Sequence, residues 1–174
     1  MFTFLNQITT KRSSWLMLTA VAVIFELCAL FFQYVMGFAP CVMCIYQRTA
    51  ILGIAGAGLV GAIAPSQVVV RFAAYGLWGY SAVKGFLLAL EHVDIQTNPS
   101  PFFTCDFAPD FPQWLKLDQM IPSFFQATGD CADISWILLG YSMSQWMLVI
   151  FGAFILSLII VVLNRLRPSN NYLP

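Results

Sequence analysis

Of the 174 residues, 60% are hydrophobic and only 9% are charged, whereas a soluble domain carries roughly 25% charged side chains. Eight basic and eight acidic residues cancel to a net charge of zero. That balance excludes the basic footprint of a nucleic-acid partner and points to membrane lipid as the surroundings.

A run of about 20 mostly apolar residues can cross a bilayer, and four such runs follow one another at residues 15–34, 44–63, 69–90 and 143–163. They predict an all-α membrane protein, a single four-transmembrane-helix bundle over residues 1–174. Lys11 and Arg12 ahead of the first run imitate the start of a secretion signal. The run is longer than a signal core, however, and Phe38-Ala39-Pro40 is a poor cleavage site, so it reads as an uncleaved span. Short loops rich in Lys and Arg stay on the cytoplasmic side. Lys11, Arg12, Arg71 (after Pro65, in the turn between the second and third runs), Arg165 and Arg167 therefore place both termini in the cytoplasm. The 35–43 turn and the long 91–142 loop, which holds seven acidic residues, then face outward.

Two charges interrupt the spans. Glu26 and Lys84 both lie roughly 12 Å below the outer surface at 1.5 Å per residue. Lone charges at that depth are costly and face the bundle, so the two are expected near each other or at one polar cavity. In the second run Gly53, Ala57 and Gly61 recur every four residues, a spacing that lets helix backbones touch. The outer loop of about 50 residues is far longer than an ordinary connection. It is broken by Pro99, Pro101, Pro109, Pro112 and Pro122, yet its many Phe and Trp residues make it too apolar for a free linker. Residues 114–121 mix apolar and charged side chains at helical spacing, which predicts a short helix lying on the membrane surface.

The cysteines carry the chemistry. Cys28, inside the first span, reads as a buried small apolar residue. Cys41, Cys44, Cys105 and Cys131 face an outward compartment, where disulfides persist. Cys105 and Cys131 enclose 25 residues, a loop that a staple would restrain. Cys41-Val42-Met43-Cys44 closes a ring too small to restrain anything, so its use is redox. Zinc is a weaker reading, because a four-cysteine site usually has two close pairs and only one pair here is close. Arg48 falls one turn after Cys44. On one helix face with Cys41 and Cys44, its permanent charge would favour a thiolate and stabilise negative charge on a nearby acceptor. An interfacial arginine snorkelling to headgroups is the plainer alternative. His92, the one histidine, ends the third run at similar depth. It suits either a solvated interfacial side chain or a proton relay to an acceptor.

These residues resemble the disulfide bond formation protein B family, membrane thiol:quinone oxidoreductases of Gram-negative bacteria. The resemblance rests on Pro40-Cys41-Val42-Met43-Cys44-Ile45-Tyr46-Gln47-Arg48, Glu91-His92, Pro99-Ser100-Pro101-Phe102, Thr104-Cys105-Asp106-Phe107, Phe111-Pro112-Gln113-Trp114-Leu115 and Thr128-Gly129-Asp130-Cys131. It implies an inner-membrane enzyme with its cysteines on the periplasmic side. A reduced thiol oxidase of the DsbA type would attack the Cys105–Cys131 disulfide. Electrons would then pass through Cys41–Cys44 to a quinone held by Arg48, His92 and Cys44, with ubiquinone expected and menaquinone as the alternative. Two other functions fit parts of the pattern: a vitamin K epoxide reductase-like enzyme, and a tetraspan scaffold with a stapled outer loop. The order of the cysteine pairs disfavours the first, and Arg48 beneath the Cys-x-x-Cys disfavours the second.

Overall fold

A computed structural model describes residues 11–98, 109–112 and 116–166. Four long helices dominate it: α1 (Arg12–Tyr34), α2 (Val42–Ile63), α3 (Val68–Thr97) and α6 (Met143–Leu166). Between α3 and α6 stand two single helical turns, α4 (Leu117–Met120) and α5 (Pro122–Phe125), and a hairpin of β1 (Ile137–Leu138) and β2 (Tyr141–Ser142). The bundle winds with α1 on α2, α2 on α3 and α3 on α6.

Hydrophobic side chains lie on the outside as well as the inside. Met17, Ile63, Val69, Phe72 and Leu163 are all exposed, the pattern of helices solvated by lipid. Three helices, α1, α2 and α6 (to Arg165), are long and apolar enough to cross a membrane. The third predicted run, now α3, is not among them; Lys84 and the glycines and serine of its middle make it less apolar.

Each end of α2 has a local cause. At the close of α1, Gly37 adopts φ +73°, and the Phe38 N–H returns to the Phe32 carbonyl at 3.1 Å, a left-handed glycine stop. Cys41 is then the N-cap of α2: its sulfur accepts the Cys44 N–H at 3.2 Å. The expected small-residue face does allow close approach, but it serves two neighbours. A Cβ on Gly53 would lie 2.3 Å from the Ser81 hydroxyl of α3, and one on Gly61 would lie 2.3 Å from the Trp15 ring of α1. Thr19 Oγ1 also donates to the Ala55 carbonyl at 3.1 Å. Below this, Trp15, Ile51, Ile54, Trp78 and Phe151 fill a dry core.

Several expectations are corrected. α3 runs past the end of the apolar 69–90 run to Thr97, which makes His92 a helical residue. Asn98 closes it, its N–H donating to the Asp94 carbonyl at 2.8 Å. Of the helix expected over 114–121 the described residues show one turn, α4, and it stops at Ile121, which sits at φ −137° and ψ 69° before Pro122 starts the separate turn α5; Trp114 and Leu115 lie outside the described residues. The all-α expectation missed the hairpin, whose Leu139 and Gly140 have φ of 54° and 85°. That is a type I′ turn without the usual Asn-Gly or Asp-Gly. Arg71 is buried in the first turn of α3 rather than free in the connection. Cys28 is exposed, not buried. Glu26 does not meet Lys84, which is exposed; its carboxylate binds Arg48 instead.

Candidate active site at the outer rim

The polar positions of α1 fall at Thr19, Glu26 and Gln33, seven residues apart, so they share the face turned to α2. That face receives Arg48. Glu26 Oε1 accepts from Arg48 Nε at 2.7 Å, and Gln33 Oε1 accepts from Arg48 Nη1 at 2.7 Å. The Phe124 ring of α5 lies over the guanidinium, 4.2 Å from its carbon to the ring centroid, a cation–π contact. Gln33 also donates to the Ser123 carbonyl at 3.3 Å, and the Tyr34 hydroxyl reaches the same oxygen. One side chain, Gln33, thus ties the loop turn to Arg48. Arg48 Nη2 and Glu26 Oε2 are buried and find no hydrogen-bond partner among the described residues. In the apolar interior such atoms cost free energy, so they are poised to receive a ligand.

One turn before Arg48 stands the dithiol. Cys41 and Cys44 are free thiols with sulfurs 2.7 Å apart. Cys41 lies outside the helical span, and its thiol is pushed above the ordinary range, first by the hydrogen bond it shares with Cys44 and then by burial. Cys41 is therefore the sulfur that keeps its proton. His92 Nε2 lies 3.7 Å from Cys41 Sγ, and Nδ1 is 3.3 Å from Gln47 Nε2. His92 sits beyond the 69–90 run; burial holds its imidazole below the usual histidine range, opposed by a hydrogen bond to the Cys131 backbone. Gln96, one turn on, is 3.4 Å from His92 Nε2. Its Oε1 accepts from the Ser142 hydroxyl at 3.1 Å and from the Ser144 hydroxyl.

Cys131, of the second pair, is brought to the same place. Cys131 is fully buried and disulfide-bonded; Cys105 lies outside the described residues. The Thr128 and Gly129 N–H groups donate to the Pro40 carbonyl at 2.9 and 3.1 Å, which fastens the strand before Cys131 to the residue before Cys41. A Cβ on Gly129 would be 2.4 Å from the Ala39 carbonyl oxygen, so only glycine allows that approach.

A cavity of about 310 Å³ opens at this rim between α1 and α6. Cys44, Arg48, His92 and Glu26 line it together with apolar residues such as Phe25, Phe32, Met147 and Ile150. The structure thus gathers Cys41, Cys44, Arg48, His92 and the backbone of Cys131. Sequence reasoning missed Gln33, Gln47, Gln96 and Phe124, and gave Glu26 the wrong partner. The seven-residue spacing of Thr19, Glu26 and Gln33, and the four-residue spacing of His92 and Gln96, were the available signals.

Lipid-facing helices, a dithiol at a helix N-terminus and the disulfide-bonded Cys131 folded against it define a membrane-embedded, disulfide-forming oxidoreductase. Comparison with known proteins agrees. The family model described as disulfide bond formation protein DsbB matches residues 11–161. The chain is 51% identical over 171 residues to disulfide bond formation protein B of Psychromonas ingrahamii, covering 98% of this chain and 92% of that one. It is 52% identical over 166 residues to the protein of that name from Vibrio cholerae, covering 95% and 96%. The chain belongs to the DsbB family.

Proposed function

We propose that this chain re-oxidises a periplasmic thiol oxidase of the DsbA type and delivers the electrons to membrane quinone. In this reading it sits in the bacterial inner membrane with four crossings, α3 included. Both termini are cytoplasmic, the cysteines periplasmic, and the α4–α5 segment rests on the membrane surface. At 1.5 Å per residue α3 spans about 45 Å, ample for a crossing between α2 and α6. The observation that carries the reading is that the Cys44 thiol and the unpartnered Nη2 of buried Arg48 line one largely apolar cavity.

The chain's own residues divide the work as follows. The partner's thiolate attacks Cys105 of the Cys105–Cys131 disulfide, and Cys131 leaves as a thiolate. Cys131 attacks Cys41 of the Cys41–Cys44 disulfide, and Cys44 is released as a thiolate one turn from Arg48. The partner's second thiol resolves the mixed disulfide and frees Cys105, so the partner's two thiols have lost two electrons and two protons. Cys105 then attacks Cys131 of the Cys131–Cys41 disulfide, which restores the loop disulfide and leaves Cys41 and Cys44 both reduced. Neutral His92, beside Cys41 Sγ, takes the Cys41 proton when the Cys41–Cys44 bond is restored. Arg48 Nη2 offers an N–H to a carbonyl oxygen and a positive charge to the anion that forms there. The apolar wall excludes water. The cavity suits a flat ring bearing carbonyl oxygens; a bound quinone, ubiquinone or else menaquinone, supplies a two-electron, two-proton acceptor that leaves as quinol.

Redox arithmetic favours an external sink. A partner couple near −120 mV, against an ordinary structural disulfide below about −300 mV, leaves ~180 mV uphill, or about 8 kcal/mol. Purified protein mixed with reduced partner and quinone is expected to consume both one to one, and Cys44→Ser to consume no quinone. Quinone reduction surviving in Cys44→Ser would refute the electron path.

A further inference from the structure

Cys41, Cys44 and His92 each present one ligand atom, and the three atoms lie within 4.8 Å of one another. Two thiols and an imidazole are a donor set for a thiophilic ion. We infer that the reduced dithiol and His92 form a binding site for a soft divalent ion such as Zn²⁺ or Cd²⁺, a site that exists in the reduced protein and vanishes on oxidation.

The surroundings are those of a metal half-site. Two residues between the cysteines is the spacing of structural zinc pairs. The Cys44 N–H already donates to Cys41 Sγ at 3.2 Å, a bond that stays in place when an ion displaces the Cys41 proton, and both sulfurs stand at the positive end of α2. His92 is buried, and the Gln47 amide lies 3.3 Å from its Nδ1; turned so that its oxygen faces the ring, that amide accepts the Nδ1–H and orients a ligating imidazole. The charge also balances. Two thiolates neutralise a divalent ion, and the nearby Arg48 is paired with Glu26.

Besides the turned Gln47 amide, binding asks for two local changes. Tetrahedral Zn–S bonds of about 2.3 Å place sulfurs roughly 3.8 Å apart, so the present 2.7 Å separation must open by side-chain rotation. The imidazole must also exchange its contact with the Cys131 backbone for the ion. Three protein ligands leave a fourth position facing the cavity. The step involves no electron transfer: one M²⁺ replaces two thiol protons, which are released to solvent. An ion seated there occupies the sulfurs that must re-form a disulfide, so it holds the enzyme reduced and stops turnover.

The test uses the full chain in detergent, with Cys28→Ser removing the exposed thiol and Cys105→Ser/Cys131→Ser removing the loop pair. Titrating Cd²⁺ into the reduced protein while following thiolate-to-metal absorption should give one ion per chain, and none after oxidation. His92→Ala should weaken binding at least tenfold, the lower end of what losing even an outer partner costs. X-ray absorption of the zinc-loaded protein with His92 intact should find two sulfurs and one imidazole nitrogen. Equal binding by the oxidised form, unchanged affinity in His92→Ala, or a zinc shell without imidazole would each overturn the inference.

Discussion

At its outer end α2 presents Gln47 and Arg48, fastened by partners on three other elements: Arg48 to α1 through Glu26 and Gln33 and to α5 through Phe124, and Gln47 to α3 through His92. Three turns inward the same helix presents Gly58 and Gly61, and apart from the Thr19 bond to the Ala55 carbonyl the hold is by volume; the Thr19 side chain and the Trp15 ring fill the space a side chain would need. The contrast shows two ways of fixing one helix. The inner end is held by close packing, which has no direction but tolerates no added volume. The outer end is held by directed polar bonds, which leave chosen atoms unsatisfied and therefore reactive. Placement comes from the first and chemistry from the second.

Substitutions at the two ends should fail differently. Glu26→Leu leaves the Arg48 charge buried without its partner, which should cost about 3–5 kcal/mol in a denaturant titration of the detergent-solubilised protein. Glu26→Gln keeps an acceptor for Nε and should cost much less. Equal losses for the two would mean that the missing negative charge, and not the missing hydrogen-bond acceptor, sets the cost. At the inner end, Gly61→Val must displace the Trp15 ring, so overpacking of about 1–3 kcal/mol is expected. Gly56→Ala, with nothing within 4 Å of its new Cβ, should be neutral or stabilise by about 0.5–1 kcal/mol. A destabilised Gly56→Ala would show that helix α2 tolerates no added methyl even on its open face.

The smallest effect concerns pH. Because burial lowers the His92 pKa, the folded state resists a proton that the unfolded chain accepts. Stability should therefore fall as pH drops through the ordinary histidine value of about 6.5, and His92→Gln should remove that part of the fall. A variant with the same acid sensitivity as the parent would take His92 out of the outer end's set of neutral, buried groups.

The long helices were legible because apolar runs and their basic flanks are properties of composition. Their ends were less so. α3 passes Leu90 because Glu91, His92 and Asp94 are good enough helix residues once Gln96 and Asn98 find partners, and hydropathy cannot register that. The Leu139-Gly140 turn carries no Asn-Gly or Asp-Gly signal. Cys41, Cys44 and Arg48 were legible because a Cys-x-x-Cys with an arginine one turn later is a local pattern. Glu26 was noticed as a charge out of place, but depth alone paired it with Lys84; which helix faces meet decided for Arg48. Gln33, Gln96 and Phe124 act only through contacts made in three dimensions.

The most direct test of the central claim is rapid alkylation and mass spectrometry of the protein while it turns over with reduced partner and quinone. Cys41 and Cys44 should be trapped partly as free thiols and partly as a disulfide, in proportions that shift toward thiol when quinone runs out. If both residues stay in a single state while quinone is consumed, the rim dithiol is not on the electron path and the account is contradicted.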